Sequence, residues 1–517
     1  MTTAHPSNFL LKTRNWIRDH SLLPALAAAL LTGGAASAAM PNIVLIYADD
    51  MGYGDLGANN PDSKIPTPHL DRLAAEGMRF TDAHSSSGIC TPSRYAMLTG
   101  RHHWRKFHDI VNSFDQPVLD AEELTLPELL RDKGYRTACV GKWHLGWDWN
   151  AVKRPGALPN ASAGDGRKGF AADAFDWSRP IPGGPLDHGF DYYFGDDVPN
   201  FPPYAWFENR KVITPPTTTL HLAQKTAEGN WEARPGPSVE GWDFYAVMPR
   251  LTERAVSWIK EQSAEKPFFL YFPMTSPHAP IVPSPEFAGK TKVGGYGDFM
   301  AQTDASAGAV LAALQEKGFD NNTVVIFSSD NGPETYAYER VRRDGHRSMG
   351  GLRGLKRDIW EGGHRVPTVI RWPGVTKPGA VSNALLGQTD LFATLAAIVG
   401  SDLPAGQAVD SLNQLDVLTG KSTGVRRTMV HNTFKGAYAL RHDNWLLIDA
   451  KTGTHSGVPK WFAESERLAE AAQPPLLYNL ERDPGQRDNL AATHPEKVEE
   501  LRGLLKAAQA RGMAQTR

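Results

Sequence analysis

The stretch Asn42-Ile-Val-Leu-Ile-Tyr-Ala-Asp-Asp50 decides the fold class. Its first six residues are apolar or β-favouring without interruption, the pattern of a strand buried on both faces. The run stops abruptly at two adjacent carboxylates. Similar runs lie at Tyr135–Val140, Pro267–Phe272, Thr323–Ser328 and Val366–Trp372, and each of the first three also leads into polar groups. Between them lie segments with helical spacing: Pro68–Met78, Thr91–Thr99, Leu126–Lys133, Leu251–Gln262 and Thr389–Val399. Strands alternating with amphipathic helices predict an α/β sheet. The polar groups therefore belong at the carboxyl ends of strands, where open α/β sheets bind their ligands. Asp49 and Asp50 follow the first strand, Lys142 and His144 the second, His278 the third, and Asp330 and Asn331 the fourth.

Outward from these strands the pattern weakens. Residues from about 150 to 240 are rich in Gly, Pro, Asp and aromatics without a clear period, and read as long loops that cover one end of the sheet. From about residue 423 short strands at Ala437–Leu440 and Trp445–Ile448 and a helix at Pro495–Ala510 indicate a smaller C-terminal α+β unit. At the other end, Lys12, Arg14 and Arg18 precede the apolar stretch Leu22–Leu31, and Ala36-Ser37-Ala38 offers a cleavage site. This reads as a secretory leader over about the first 38 residues, which predicts a periplasmic or secreted protein. The competing reading is an uncleaved anchor, against which Pro24, Gly33 and Gly34 argue. The remaining chain, about 39–422 and 423–517, has no other stretch apolar and long enough to span a bilayer.

Over 517 residues the formal net charge is only -2, so no polybasic field points to nucleic acid. Asp49, Asp50, Asp330 and Asn331 offer oxygen ligands alone. That set suits a hard cation, Ca²⁺ ahead of Mg²⁺, and not zinc. Cys90 and Cys139 are the two cysteines. In an exported protein a disulfide between them is the plain reading. Cys90, however, opens Cys90-Thr91-Pro92-Ser93-Arg94 at the expected N-terminus of a helix, where free N–H groups and the dipole favour an anion.

That pentapeptide, followed by Leu98-Thr99-Gly100-Arg101, resembles the signature of the type I sulfatases of the alkaline phosphatase superfamily. The resemblance runs along most of the chain. It takes in Ala48-Asp49-Asp50-Met51-Gly52, Gly141-Lys142-Trp143-His144-Leu145-Gly146, Ser276-Pro277-His278-Ala279-Pro280 and Ser329-Asp330-Asn331-Gly332. Further on it includes Arg353-Gly354-Leu355-Lys356, Glu361-Gly362-Gly363-His364-Arg365-Val366-Pro367 and Leu477-Tyr478-Asn479-Leu480 with Asp483-Pro484. The resemblance implies an alkaline-phosphatase-like fold, a large mixed sheet sandwiched by helices with a smaller C-terminal α+β domain. It implies that a separate formylglycine-generating enzyme oxidises Cys90 to formylglycine, whose hydrate is the nucleophile and which joins the cation's ligands. Cys90 is then not free for a disulfide, and Cys139 is an inert buried thiol.

The resemblance also implies roles. Arg94 and Lys142 hold the modified residue, Lys356 contacts the sulfate, His278 protonates the leaving oxygen, and His144 removes a proton from the hydrate. His346, His364, Asp196, Asp197 and Tyr204 are candidate substrate contacts. The expected substrate is a sulfated glycan. Gly88-Ile-Cys90, Pro185-Leu-Asp-His-Gly-Phe-Asp191 and Glu361-Gly-Gly-His364-Arg resemble the N-acetylgalactosamine-6-sulfatase group, which points to a 6-sulfate of galactose or N-acetylgalactosamine. A phosphonate or phosphate ester hydrolase of the same superfamily and a non-catalytic binder of sulfated glycans are the alternatives. Oligomeric state is not legible.

Overall fold

A strand buried on both sides must divide its side chains between two cores. In the computed structural model, which describes residues 40–161, 168–221, 228, 233–468 and 474–511, Asn42–Ala48 does this. Ile43, Leu45 and Tyr47 enter one apolar cluster, and Val44, Ile46 and Ala48 the other. All six are fully buried, each larger side chain contributing about 1.5–3 kcal/mol by leaving water. The expected leader lies outside the described residues. No helix among the described residues is long and apolar enough to cross a membrane.

The strand sits near the middle of a ten-stranded sheet. From one edge the order is Ala380–Ser382, Met78–Phe80, Thr368–Arg371, Thr323–Ser329, Asn42–Ala48, Phe268–Pro273, Arg136–Lys142, Tyr192–Asp197, Phe207–Glu208 and Lys211–Val212. The five neighbours from Thr323–Ser329 to Tyr192–Asp197 run parallel. Antiparallel pairings begin on either side of them. All five carboxyl ends therefore open on one edge. Helices Cys90–Thr99, Leu126–Asp132 and Asp390–Ile398 supply one apolar layer. Helices Pro68–Glu76, Val247–Lys260 and Gly294–Glu316 supply the other. Sheet, layers and the small C-terminal sheet give the mixed α/β sandwich expected of the sequence.

Two elements depart from the expectation. Tyr192–Asp197 lies inside the segment read as loops, yet it is a strand of the main sheet, paired with Arg136–Lys142. Its Tyr-Tyr-Phe-Gly-Asp-Asp sequence shows no alternation, because the strand is almost wholly covered. Gly294–Glu316 is a 23-residue helix with no counterpart in the sequence reading. It is buried nearly all round and carries Asp298, Gln302, Thr303 and Asp304 inside, so it has no polar stripe for periodicity to find.

The C-terminal sheet has the order Thr428–Asn432, Tyr438–His442, Trp445–Asp449, Leu476–Asn479, all antiparallel. One face packs on Val498, Leu501 and Leu505 of helix Pro495–Arg511. The other packs on Ile359 and Trp360. Residues 40–517 form one compact unit.

Candidate active site

The parallel strand ends bring Asp49, Asp50, Lys142, Asp330 and Asn331 together, all of them buried. Lys142 Nζ donates to Asp49 at 2.7 Å, and Lys356 Nζ to Asp50 at 2.7 Å. Arg94 donates to Asp330 Oδ2 from Nη2 and Nε, at 2.8 and 3.1 Å, and from Nη1 to the Lys142 carbonyl at 3.1 Å. Asp330 Oδ1 accepts the Asp50 N–H at 3.1 Å, and Asn331 Nδ2 donates to Asp50 Oδ1 at 2.6 Å. Three carboxylates thus face three fixed cations. Asp50 and His144 have left-handed backbone, with φ of 65 and 56°. Such strain is held only where the surroundings over-determine it, as at functional sites.

Cys90 opens helix Cys90–Thr99, which Gly100 ends with a φ of 62° and an N–H bonded to the Ala96 carbonyl. No side chain caps its N-terminus, so first-turn N–H groups face the cluster without an internal partner. Thr91 ties the neighbouring loops together, its hydroxyl donating to the His144 carbonyl at 2.9 Å and accepting the Val111 N–H at 3.1 Å. Both cysteines are free and buried, so the disulfide reading is set aside. Burial pushes the Cys90 thiol up to about 11 against the pull of Lys142 and Lys356. Unmodified, it is a poor nucleophile at neutral pH.

The cluster fits a hard cation. Asp49 Oδ1 and Asn331 Oδ1 are buried acceptors with no hydrogen-bond partner among the described residues. Ligand atoms of Asp49, Asp50, Cys90 and His278 lie within 4.8 Å of one another. Burial and the neighbouring Asp330 hold the Asp49 carboxyl well above its usual range, although Lys142 and Arg94 oppose them. A dication relieves that crowding. Asp330 can share in ligation only through lone pairs left by Arg94 and the Asp50 N–H.

The histidines are oriented by backbone. His144 Nε2 donates to the Val111 carbonyl at 2.9 Å, leaving Nδ1 as a lone pair with no partner among the described residues. His278 Nδ1 donates to the Ala279 carbonyl, and its Nε2 lies 3.6 Å from Asp50 Oδ2. Burial, with Lys356 and Lys142 for His278 and with Lys142 and Arg94 for His144, holds both imidazoles well below the usual histidine range. Both are neutral at pH 7.

Cys90, His144, His278 and Lys356 line a cavity of about 540 Å³. The expected substrate contacts do not. His346 is fully buried, bonded to Asp55 at 2.7 Å and to the Lys64 N–H at 3.3 Å. His364 is buried in a separate histidine cluster. Asp196 is buried without a partner among the described residues. Asp197 accepts the His144 N–H at 3.2 Å, and the Tyr204 hydroxyl donates to the carbonyl of Asn200 at 3.1 Å. The last two brace the cavity wall from behind. The wall itself includes Asp109, Asn112, Asn200, Phe201, Arg234 and Phe434. These residues come from separate loops, and the aromatic content of 150–240 was the one sequence signal, reaching Phe201. The Arg234 guanidinium lies 3.4 Å from the Phe201 ring centre and donates to Asn112 at 3.2 Å.

A hard-cation set, a guanidinium and two ammonium groups around an anion position at one sheet edge define a hydrolase of anionic monoesters on an alkaline-phosphatase-like fold. Comparison with known proteins narrows the class. The sulfatase family model matches residues 41–401. The chain is 32% identical to an N-acetylgalactosamine-6-O-sulfatase of Bacteroides thetaiotaomicron, over 96% of this chain and all of that one. It is 34% identical to human arylsulfatase A, over 94% and 90% of the two chains. A solved structure from work on glycosaminoglycan metabolism by Bacteroides thetaiotaomicron superposes with a TM-score of 0.74 at 31% identity, covering 91% of this chain and 99% of the other. The chain belongs to the sulfatase family and is a sulfuric ester hydrolase.

Proposed function

We propose that the protein removes sulfate from a sugar, with the 6-sulfate of galactose or N-acetylgalactosamine as the substrate, using an oxidised Cys90. The observation that carries this is the two-zone cavity: a floor of buried cations beside residue 90, and a wider rim of amide, carboxylate, guanidinium and aromatic groups suited to a ring and its hydroxyls. The 6-sulfate detail is supported by motif likeness and by the names of relatives that act on N-acetylgalactosamine 6-sulfate. A primary sulfate also projects far enough from its ring to reach such a floor. The basic and then apolar leader supports export to the periplasm or the medium.

Asp49, Asp50, Asp330 and Asn331 would hold Ca²⁺, which supplies Lewis acidity toward a sulfate oxygen and a lowered pKa for the hydrated aldehyde of residue 90. The chain's own groups do the rest. Arg94 and Lys142 fix the position of residue 90 through Asp330 and Asp49. Their charges and that of Lys356 cancel the three carboxylates, so a bound dication leaves the floor positive for a sulfate monoanion. Lys356 Nζ, at the cavity surface, meets sulfate oxygens. His278 directs Nε2 toward the leaving oxygen and takes up its proton with the anionic ester. His144 offers the Nδ1 lone pair as the base that restores the aldehyde.

Galactose and N-acetylgalactosamine sulfated at each hydroxyl in turn test the reading, with free sulfate as the readout. Fastest release from the 6-position is expected. Preference for a ring-hydroxyl sulfate overturns the 6-sulfate assignment, and faster turnover of a phosphate or phosphonate ester overturns the sulfated-sugar assignment.

A further inference from the structure

A second buried cluster lies where the C-terminal sheet meets the main body. His84 ends the two-residue strand Ala83–His84. Glu361 and His364 begin and end a one-turn helix, and the Ser85 N–H donates to the His364 carbonyl at 2.8 Å. His431 comes from Thr428–Asn432, the first strand of the C-terminal sheet. All four side chains are at least 99% buried. One ligand atom from each lies within 4.8 Å of the others.

The hydrogen bonds fix two of the tautomers. His84 Nε2 is 2.7 Å from Asp82 Oδ1, and His364 Nε2 is 3.1 Å from the Ile359 carbonyl. Both partners are acceptors, so each Nε2 carries the hydrogen. In the neutral rings each Nδ1 is then a lone pair, and the two Nδ1 atoms face each other at 3.0 Å. Two lone pairs at that distance repel unless a cation lies between them. A ring N–H donated to a carboxylate or to a backbone carbonyl is also the usual support of a metal-bound histidine. Two further acceptors remain. Both ring nitrogens of His431 and Oε1 of Glu361 have no hydrogen-bond partner among the described residues. The His431 ring is stacked on that of His364 with centroids 3.7 Å apart.

A shared proton would settle the His84–His364 pair and leave His431 and Glu361 Oε1 unanswered. A metal ion answers all four. The surrounding charges are already matched: Arg441 donates to Asp82 at 2.8 Å, and Arg365 to Glu361 Oε2 at 3.3 Å. We propose that His84, His364, His431 and Glu361 form a structural site for a borderline transition-metal dication, zinc by its donor set, that ties the C-terminal sheet to the catalytic body. The site is separate from the all-oxygen cluster and takes no part in the chemistry there.

The test uses full-length protein made without a histidine tag in medium containing zinc and calcium. One zinc per chain is expected. An anomalous difference map across the zinc absorption edge should place it among the three imidazoles of the unaltered protein. His431→Gln should lose the zinc, whereas Asp50→Asn should keep it. Wild-type protein with no transition metal, or with zinc density only at Asp49 and Asp50, overturns the proposal and leaves a shared proton between His84 and His364. Zinc retained by His431→Gln also overturns it. The map on wild-type crystals decides the matter even if the variants do not fold.

Discussion

At the scale of the residue, the two site histidines are distinguished by which nitrogen is tied down. His278 keeps Nε2 free for a leaving oxygen, and a sugar alkoxide needs that proton far more than a nitrophenolate does. His278→Ala should therefore reduce kcat/KM on a sulfated sugar by about 10²–10⁴-fold and on nitrophenyl sulfate much less. Equal losses would reduce His278 to a sulfate contact. Asp196 makes a different prediction. Burial without a partner raises its carboxyl to about 7. The folded state then holds a proton that the unfolded chain loses near pH 4. Stability present at low pH is consequently lost as pH rises toward 7. Asp196→Asn removes that loss, so the variant should gain on wild type by about 1–3 kcal/mol between pH 4.5 and 8. Thermal melts across that range check the sign, and a difference that does not change with pH would contradict it. The charged floor was legible in the sequence because strand ends mark it. The cavity wall was not, since Asp109, Asn200, Arg234 and Phe434 share no element and no period.

At the scale of the element, helix Asp390–Ile398 is joined to the C-terminal segment by one buried carboxylate. Asp390 accepts from Arg426 Nε at 2.8 Å and also from Nη2, and it accepts the Leu412 N–H at 2.8 Å. Both side chains of the pair are fully covered. Removing one partner strands the other charge, which costs about 3–5 kcal/mol. Asp390→Ala should be destabilised by that much in urea, whereas Asp390→Ala with Arg426→Met should recover a large part of it. Failure of the double variant to recover would mean that Asp390 acts through its backbone N–H bonds instead. The helix was plain in the sequence because its apolar residues repeat at helical spacing. Gly294–Glu316 was not, for the opposite reason: a helix buried on all sides has no stripe. Tyr192–Asp197 was hidden similarly, by aromatics on both faces of a covered strand.

At the scale of the whole molecule, five parallel strands deliver their charges to one edge, and the architecture tolerates that crowding only if ions complete it. Calcium added to metal-free protein should raise Tm in proportion to the logarithm of its concentration. Asp49→Asn should lose most of the response, while His431→Gln should keep it, because the two clusters are separate. A wild-type Tm indifferent to calcium would contradict the all-oxygen assignment. The most direct test of the central claim concerns residue 90. Preparations with graded conversion of Cys90 to the aldehyde, read by peptide mass, can be compared for sulfate release per chain. Turnover should rise in proportion to conversion and vanish with it. Full sulfate release from protein carrying only the thiol at residue 90 would contradict the account.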